Sequence, residues 1–362
     1  MMGKNTSAYI GCFLGLAVGD AMGYTVDELD WQTICERYGP NGLLGYDLQE
    51  DYAQVTSYTQ IAAFVANGLL LGVTRGRRSE YLKFVSLALR EWYKRQHFPR
   101  SPDKSWFWVA QKPELRRRHC RDAWMLDALR FENLGTMEKP INNSDDPGAI
   151  LAAAAVALFY DMKRMEPEQV GELTAKIVAM THGDANAFLS AAVLAYALTG
   201  ILHEPQRPLR EQFLQAAQVM AGQFGEKFSQ AKAIADAVNA AAALAQAEDS
   251  EHRENMEAFH CSSASECLCA AVYASLVHPE DFDSAMILAV NHSGRSAAVG
   301  GMTGAILGAK LGQEALPEFY LESLEPIDAL RQLAQDLAVG NPATGFFDDA
   351  WDQKYTHGIP LN

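Results

Sequence analysis

Paired cysteines are missing from this chain. Cys12, Cys35, Cys120, Cys261, Cys267 and Cys269 are scattered and form no CxxC unit. That spacing argues against a zinc site or a disulfide framework and implies buried free thiols in a reducing compartment. Cys267 and Cys269 are two apart and would point to different faces of a helix. An excess of positive charge is missing too. Thirty Lys and Arg face 45 Asp and Glu, for a net charge of -15 and a pI near 5.0, a poor match to nucleic acid backbones. No secretory leader is visible. The most apolar early stretch, Thr6–Gly23, is interrupted by Gly11, Gly15, Gly19 and Asp20, so it reads as a core helix and not a membrane span. The expectation is a cytoplasmic protein that binds neither membrane nor nucleic acid, of unspecified oligomeric state. Runs of strictly alternating polarity are the last absence, and with them goes a β-sheet core.

What is present is helical periodicity and glycine. The 362 residues are 49% hydrophobic, ample for one large core, and no linker divides them. The expected fold is all-α: a single large compact orthogonal helical bundle over residues 1–362. Two stretches stand out. Ser7–Met22 places Gly11, Gly15 and Gly19 every four residues. Asn291–Gly312 runs from a polar turn into a helix holding Gly300, Gly301, Gly304 and Gly308. Each glycine costs about 1 kcal/mol of helix propensity relative to Ala, so such faces need close contact with neighbouring helices. Asp20 interrupts a buried surface and must be hydrogen-bonded; the expected partners are backbone N–H groups of the next turn.

Further helices are expected over Trp31–Tyr38, Thr56–Leu71, Tyr81–Gln96, from Arg116 through Arg130, and over Ala149–Tyr160. Others follow at Glu166–Met180, Ala187–Leu198, Arg210–Ala247 (one or two), Ser262–Leu276 and Phe282–Val290. The run Arg116–Arg118 reads as a solvated helix face, His97–Pro113 as a loop, and the aromatics of Phe346–Tyr355 as a seal on the bundle. Polar turns follow Val55, Pro140, Met180 and Val290, and each feeds a helix of small residues. Short polar side chains there are ordinary caps. If those helix N-termini converge, their N–H groups form one site at the end of the bundle.

Five segments in order resemble the ADP-ribosylglycohydrolase family over nearly the whole chain. They are GCFLGLAVGDAMG (Gly11–Gly23), NNSDDPGAI, THGDANAFLSAA, SECLCAAVYASL and NHSGRSAAVGGMTGAILGA. The resemblance implies an all-α fold and, in typical members, two magnesium ions beside ADP-ribose. The departures fall on the chemistry. Where the family has threonine–aspartate–aspartate–threonine, this chain has Thr56, Ser57, Tyr58 and Thr59. Where it has glycine–aspartate–serine–aspartate and a hydroxyl residue, this chain has Gly294, Arg295, Ser296, Ala297 and Ala298. Asp27 stands in the place of the catalytic glutamate. Magnesium requires near-octahedral oxygen coordination, and a fixed cation at a ligand position repels it. The expectation is therefore no metal ligands and no magnesium cofactor.

Three readings follow from the resemblance. The first is a catalytically degenerate relative binding ADP-ribose, a nucleotide or an ADP-ribosylated protein. Its ligand-binding residues would be Thr56, Ser57, Tyr58, Thr59, Asn143, Ser144, Gly148, His182, Ser293, Gly294, Arg295 and Ser296. The second is a metal-independent hydrolase with Asp27 as catalytic base and His292 or His182 as helper. The third is a structural or partner-binding protein whose pocket Tyr58 and Arg295 fill. Bland roles stand beside each: Arg295 paired with Asp145, Asp146 or Asp27, the two histidines as caps, and Asp27 as a loop acid.

Overall fold

The structure is a computed structural model. It describes residues 4–48, 51–98, 105–120, 122–247, 251–340, 351, 354 and 355. Sixteen α-helices occur among them: α1 Thr6–Tyr24, α2 Trp31–Tyr38, α3 Ser57–Thr74, α4 Tyr81–His97, α5 Ala123–Ala128, α6 Ala152–Phe159, α7 Pro167–Val178 and α8 Ala185–His203; then α9 Leu209–Phe224, α10 Gln230–Leu244, α11 His252–Ala258, α12 Ala264–Val277, α13 Phe282–Val290, α14 Ser296–Leu311, α15 Glu318–Glu322 and α16 Ile327–Val339. The described residues contain no strand, only an isolated bridge between Ala53 and Leu324. The fold is all-α, as the periodicity predicts.

The centre of the molecule is the pair α1 and α14, which run antiparallel with their glycine faces together. A Cβ built on Gly15 would collide with the backbone of Gly304, one on Gly19 with Gly300, and one on Gly308 with Gly11. The four-residue spacing on both helices is what keeps successive glycines in register along the contact. Around this seam one contiguous core gathers α3, α6, α8, α12, α13 and α16. Helix α8 is long and apolar enough to cross a membrane, but 89% of its apolar window is buried inside the protein, as befits a central core helix.

Three expectations change. The helix through Arg130 is not continuous: a 3-10 turn spans Pro113–Arg116, and α5 covers only Ala123–Ala128. The arginines between are not a solvated helical face. Arg116 Nε donates to Ala110 O at 2.5 Å, and Arg117 forms a two-pronged ion pair with Glu325. Gln60 and Gln96 donate to Arg117 O, which pins this segment as extended chain. The stretch from Ala149 also starts differently, with a 3-10 turn at Pro147–Ala149 before α6. In the tail, Trp351 and Tyr355 are buried and close the bundle as expected. Trp351 Nε1 donates to Thr74 Oγ1 at 3.1 Å and Tyr355 to Asp336 at 2.7 Å. Phe346 and Phe347 lie outside the described residues.

Candidate functional site

The polar turns converge at one end of the α1–α14 seam. Thr56 caps α3, accepting from Tyr58 N–H at 3.2 Å. The turn before α6 folds on its own side chains: Ser144 Oγ accepts from Asp146 N–H at 3.3 Å, and Asp146 Oδ1 from Gly148 N–H at 2.9 Å. Asn142 ties that turn to the one before α8, donating to Thr181 O at 2.8 Å and accepting from Gly183 N–H at 2.9 Å. The turn before α14 is held by Ser293, whose Oγ accepts from Trp31 N–H at 3.0 Å and whose N–H donates to Glu257 at 2.8 Å. Gly294, at φ +127°, lets the chain pass against Cys261 and aims Arg295 back over the bundle.

Between the turns lies a pocket lined by Tyr24, Asp27, Thr56, Ser57, Tyr58, His119, Asp122, Asp146, Gly148 and Arg295. The opening measures about 300 Å³ with its solvent, and its enclosed part has room for about one water molecule. Six of the residues expected from sequence meet here: Asp27, Thr56, Ser57, Tyr58, Gly148 and Arg295. The others face elsewhere. Thr59 is fully buried and donates to Asp20 at 2.5 Å. Asn143 is exposed outside the pocket, and Ser144 is spent on its turn. Ser293 and Ser296 hold backbone, Ser296 Oγ donating to His292 O at 3.2 Å, while Gly294 O accepts from Glu28 N–H at 2.8 Å. His182 sits behind the pocket wall, its Nε2 at 2.8 Å from Asp122 and its Nδ1 at 2.9 Å from Thr181 Oγ1, so it caps nothing.

Asp20 does not bond the next turn of its own segment. It reaches across to α3 and accepts four hydrogen bonds, from the N–H and hydroxyl groups of Thr56 and Thr59 at 2.5–3.1 Å. Those donors favour the carboxylate, yet burial outweighs them and pushes its pKa up to about 6.

Arg295 dominates the electrostatics. Its guanidinium bridges Glu28 at 2.7 Å and Asp146 at 2.5 Å. Burial opposes its charge, but Asp146, Tyr58 and Glu28 reverse that and raise its pKa above the usual arginine value. Asp146 itself is raised, first by burial and then by the nearby Asp122. Asp122 is lowered: burial opposes ionisation, and His182 overcomes it. His182 is raised by Asp122 against its own burial. Arg295 thus balances Glu28 and Asp146 on one side, and His182 balances Asp122 on the other, with the two aspartates repelling each other between them. Asp27 Oδ1 accepts from Ala297 N–H, at 3.0 Å, at the start of α14. Tyr58 is 6% exposed, and burial beside Asp27 and Asp146 pushes its phenol far above its ordinary range.

These residues do not fit the family's magnesium pair. A guanidinium occupies the position of one aspartate, a buried phenol that of another, and Thr56 gives its hydroxyl to Asp20. A different donor set does assemble: one oxygen each from Asp122 and Asp146 and one nitrogen of His182 lie within 4.8 Å of one another. Nothing in the sequence around Asp122 marks it as a ligand. Asp122 comes from the segment mistaken for continuous helix, where an aspartate before Ala123 signals only an N-cap. His119, whose Nδ1 lies 3.0 Å from Val55 O, stacks on Tyr24 at 5.0 Å between ring centres; neither was anticipated. Glu28 lies in the turn after α1, where an acid is ordinarily solvated. Its φ of +63°, uncommon for a non-glycine residue, is a structural signal that sequence does not carry.

Comparison with known proteins returns the ADP-ribosylglycohydrolase family, whose model matches residues 2–345. An uncharacterized protein from Archaeoglobus fulgidus is 25% identical over 337 residues, covering 90% of this chain and 94% of its own length. A solved ADP-ribosylglycohydrolase-related protein complex contains a similar fold, with a TM-score of 0.57 at 22% identity, covering 92% of this chain and 98% of the other.

Proposed function

Since the chain belongs to the ADP-ribosylglycohydrolase family, we propose that it is a non-hydrolytic member in which an internal guanidinium takes the place of the two-magnesium centre. The observation that carries this reading is Arg295 seated between Asp146 and Glu28. The positive charge that a metal would bring to this acidic pocket is already present and already neutralised. Arg295 brings charge to the pocket, but its guanidinium is already engaged by Asp146 and Glu28 and so is not free to polarise a leaving group. Asp27 is engaged with the backbone of α14, which argues against its acting as a freely accessible base.

Recognition is then the work left to the cleft, and the ligand class is ADP-ribose or an ADP-ribosylated protein. Thr56, Ser57 and Gly148 still line it, and the Tyr24–His119 stack offers an aromatic wall. A second reading, a partner-binding protein with a closed pocket, is favoured by one observation: Tyr58 is buried and the enclosed space holds about one water. A cytoplasmic setting is supported by the six cysteines, all free.

Calorimetry with ADP-ribose, run with magnesium and again with EDTA, tests the proposal. Heat of binding that is the same in both supports metal-free recognition. Binding only with magnesium, or hydrolysis of ADP-ribosyl-arginine or ADP-ribosyl-serine in EDTA, overturns it. No binding in either condition moves the weight to the closed-pocket reading.

A further inference from the structure

Behind the pocket wall, Asp122 and His182 meet in a way that a neutral imidazole does not satisfy. His182 is fully buried. Thr181 Oγ1 gives its hydrogen to Val178 O at 3.4 Å, so at 2.9 Å it accepts Nδ1–H from the imidazole. That bond sets the tautomer, and Nε2 of the neutral ring is left with a bare lone pair. The lone pair faces Asp122 Oδ2 at 2.8 Å. Two acceptors at that distance repel, and a cation between them removes the conflict: a second ring proton or a metal ion.

The surroundings favour the metal. A proton serves one carboxylate, but a second is present: one oxygen of Asp146 lies within 4.8 Å of the donor atoms of Asp122 and His182. A four-coordinate zinc ion with bonds of about 2.1 Å spaces its ligands about 3.4 Å apart, inside that range. Both carboxylates are already aimed. Asp122 Oδ1 accepts from Met125 N–H at 3.0 Å, and Asp146 Oδ1 from Gly148 N–H at 2.9 Å. Lone pairs remain on each carboxylate for an ion. Gly148 keeps the space clear, since a Cβ there would collide with Asp122 Oδ2. Asp122 and Asp146 also line the pocket, whose enclosed part has room for about one water, so a fourth ligand can reach an ion from that side. A ring N–H held by a fixed acceptor, with the other nitrogen turned inward, is how metal-bound imidazoles are oriented.

We infer that Asp122, Asp146 and His182 hold one divalent transition ion of the kind that accepts imidazole and carboxylate together, zinc being its representative. The imidazole is what separates this site from a magnesium centre, since magnesium takes oxygen ligands. The three ligands stand in the turns that precede α5, α6 and α8, so the ion ties three segments of the rim into one wall. Its role is structural. It leaves Arg295 on Asp146 Oδ2 and Glu28, and the site stands whether or not the cleft binds ADP-ribose.

The experiment strips the full chain with EDTA, removes the chelator and titrates zinc chloride by calorimetry and thermal melts, with magnesium chloride in parallel. The expected result is one zinc per chain, a melting temperature raised by about 3–4 °C at about 100 times Kd, and no comparable response to magnesium. His182→Gln and Asp122→Asn, with helicity verified by circular dichroism, lose at least about 100-fold in zinc affinity. Thr181→Val, which only frees Nδ1, loses roughly 10-fold. Cobalt(II) in place of zinc gives visible ligand-field bands without the near-ultraviolet band of a cobalt–thiolate bond. No zinc binding by the wild type, magnesium bound as tightly as zinc, affinity unchanged in His182→Gln, or a thiolate band in the cobalt spectrum would overturn the proposal. The wild-type titrations and cobalt spectrum decide this even where a variant fails to fold.

Discussion

The α1–α14 seam and the polar rim at its end adjoin each other, yet they obey different rules. Along the seam, Gly15, Gly19, Gly300 and Gly304 bring backbone against backbone, and even a methyl group has nowhere to go. At the rim, side chains from separate turns meet through charge, as Arg295 does with Glu28 and Asp146. Contact repulsion is short-ranged and leaves no alternative to glycine. Charge is longer-ranged, so one guanidinium, Arg295, can balance acids brought in by two other turns, Glu28 and Asp146. Sterics therefore sets the residues of the seam, and charge balance those of the rim.

The sharpest break of that contrast is Gly304→Ala. Overpacking a rigid backbone contact costs on the order of 3 kcal/mol or more, and a denaturant melt should show it. A change below about 1 kcal/mol would mean that the two helices can slide apart, and the seam would be no stricter than the rim.

Asp20 lies between the two regimes, a rim charge buried at the edge of the seam. Its folded pKa is raised above the ordinary 3.8 to about 6. A carboxyl group raised on folding contributes stability that is fully present below its unfolded pKa and is lost as pH rises through the folded value. The stability advantage of wild type over Asp20→Asn should therefore shrink by about 2 kcal/mol between pH 4 and pH 7. Paired melts across that range measure it. A constant advantage would show that the four hydrogen bonds from Thr56 and Thr59 fully offset burial.

The smallest effect belongs to the rim itself. Arg295→Met should destabilise by roughly 1–2 kcal/mol, because Asp146 is left without its partner while Glu28 turns to solvent. Arg295→Lys keeps the charge but not the two-pronged geometry and should recover about half of that loss. If Met and Lys behave alike, shape and not charge holds the rim together, and the contrast drawn above fails.

The sequence made the seam legible because steric need leaves a local trace: glycine every fourth residue on two separate helices. The turns after Val55, Pro140, Met180 and Val290 were legible for a similar reason, since caps use short polar side chains. Which side chain of each turn faces the pocket was not. Thr56 and Thr59 both look like free hydroxyls in the sequence, yet both are claimed by Asp20, thirty-odd positions away. Asp122 was hidden in a stretch whose composition reads as helix but whose backbone is held extended by Gln60 and Gln96. Glu28 reads as a solvated acid until its carboxylate is seen on Arg295.

By itself, then, the sequence determined that the chain is an all-α bundle, that two glycine faces must meet, and that the aspartates of the family's metal motifs are gone. These follow from periodicity, sterics and the identity of residues, all local properties. Tertiary structure alone decided that Arg295 lies between Asp146 and Glu28 and that Asp122 and His182 pair behind them. Those partners come from segments remote in the chain, and the path of the backbone in three dimensions sets which of them come within hydrogen-bonding reach.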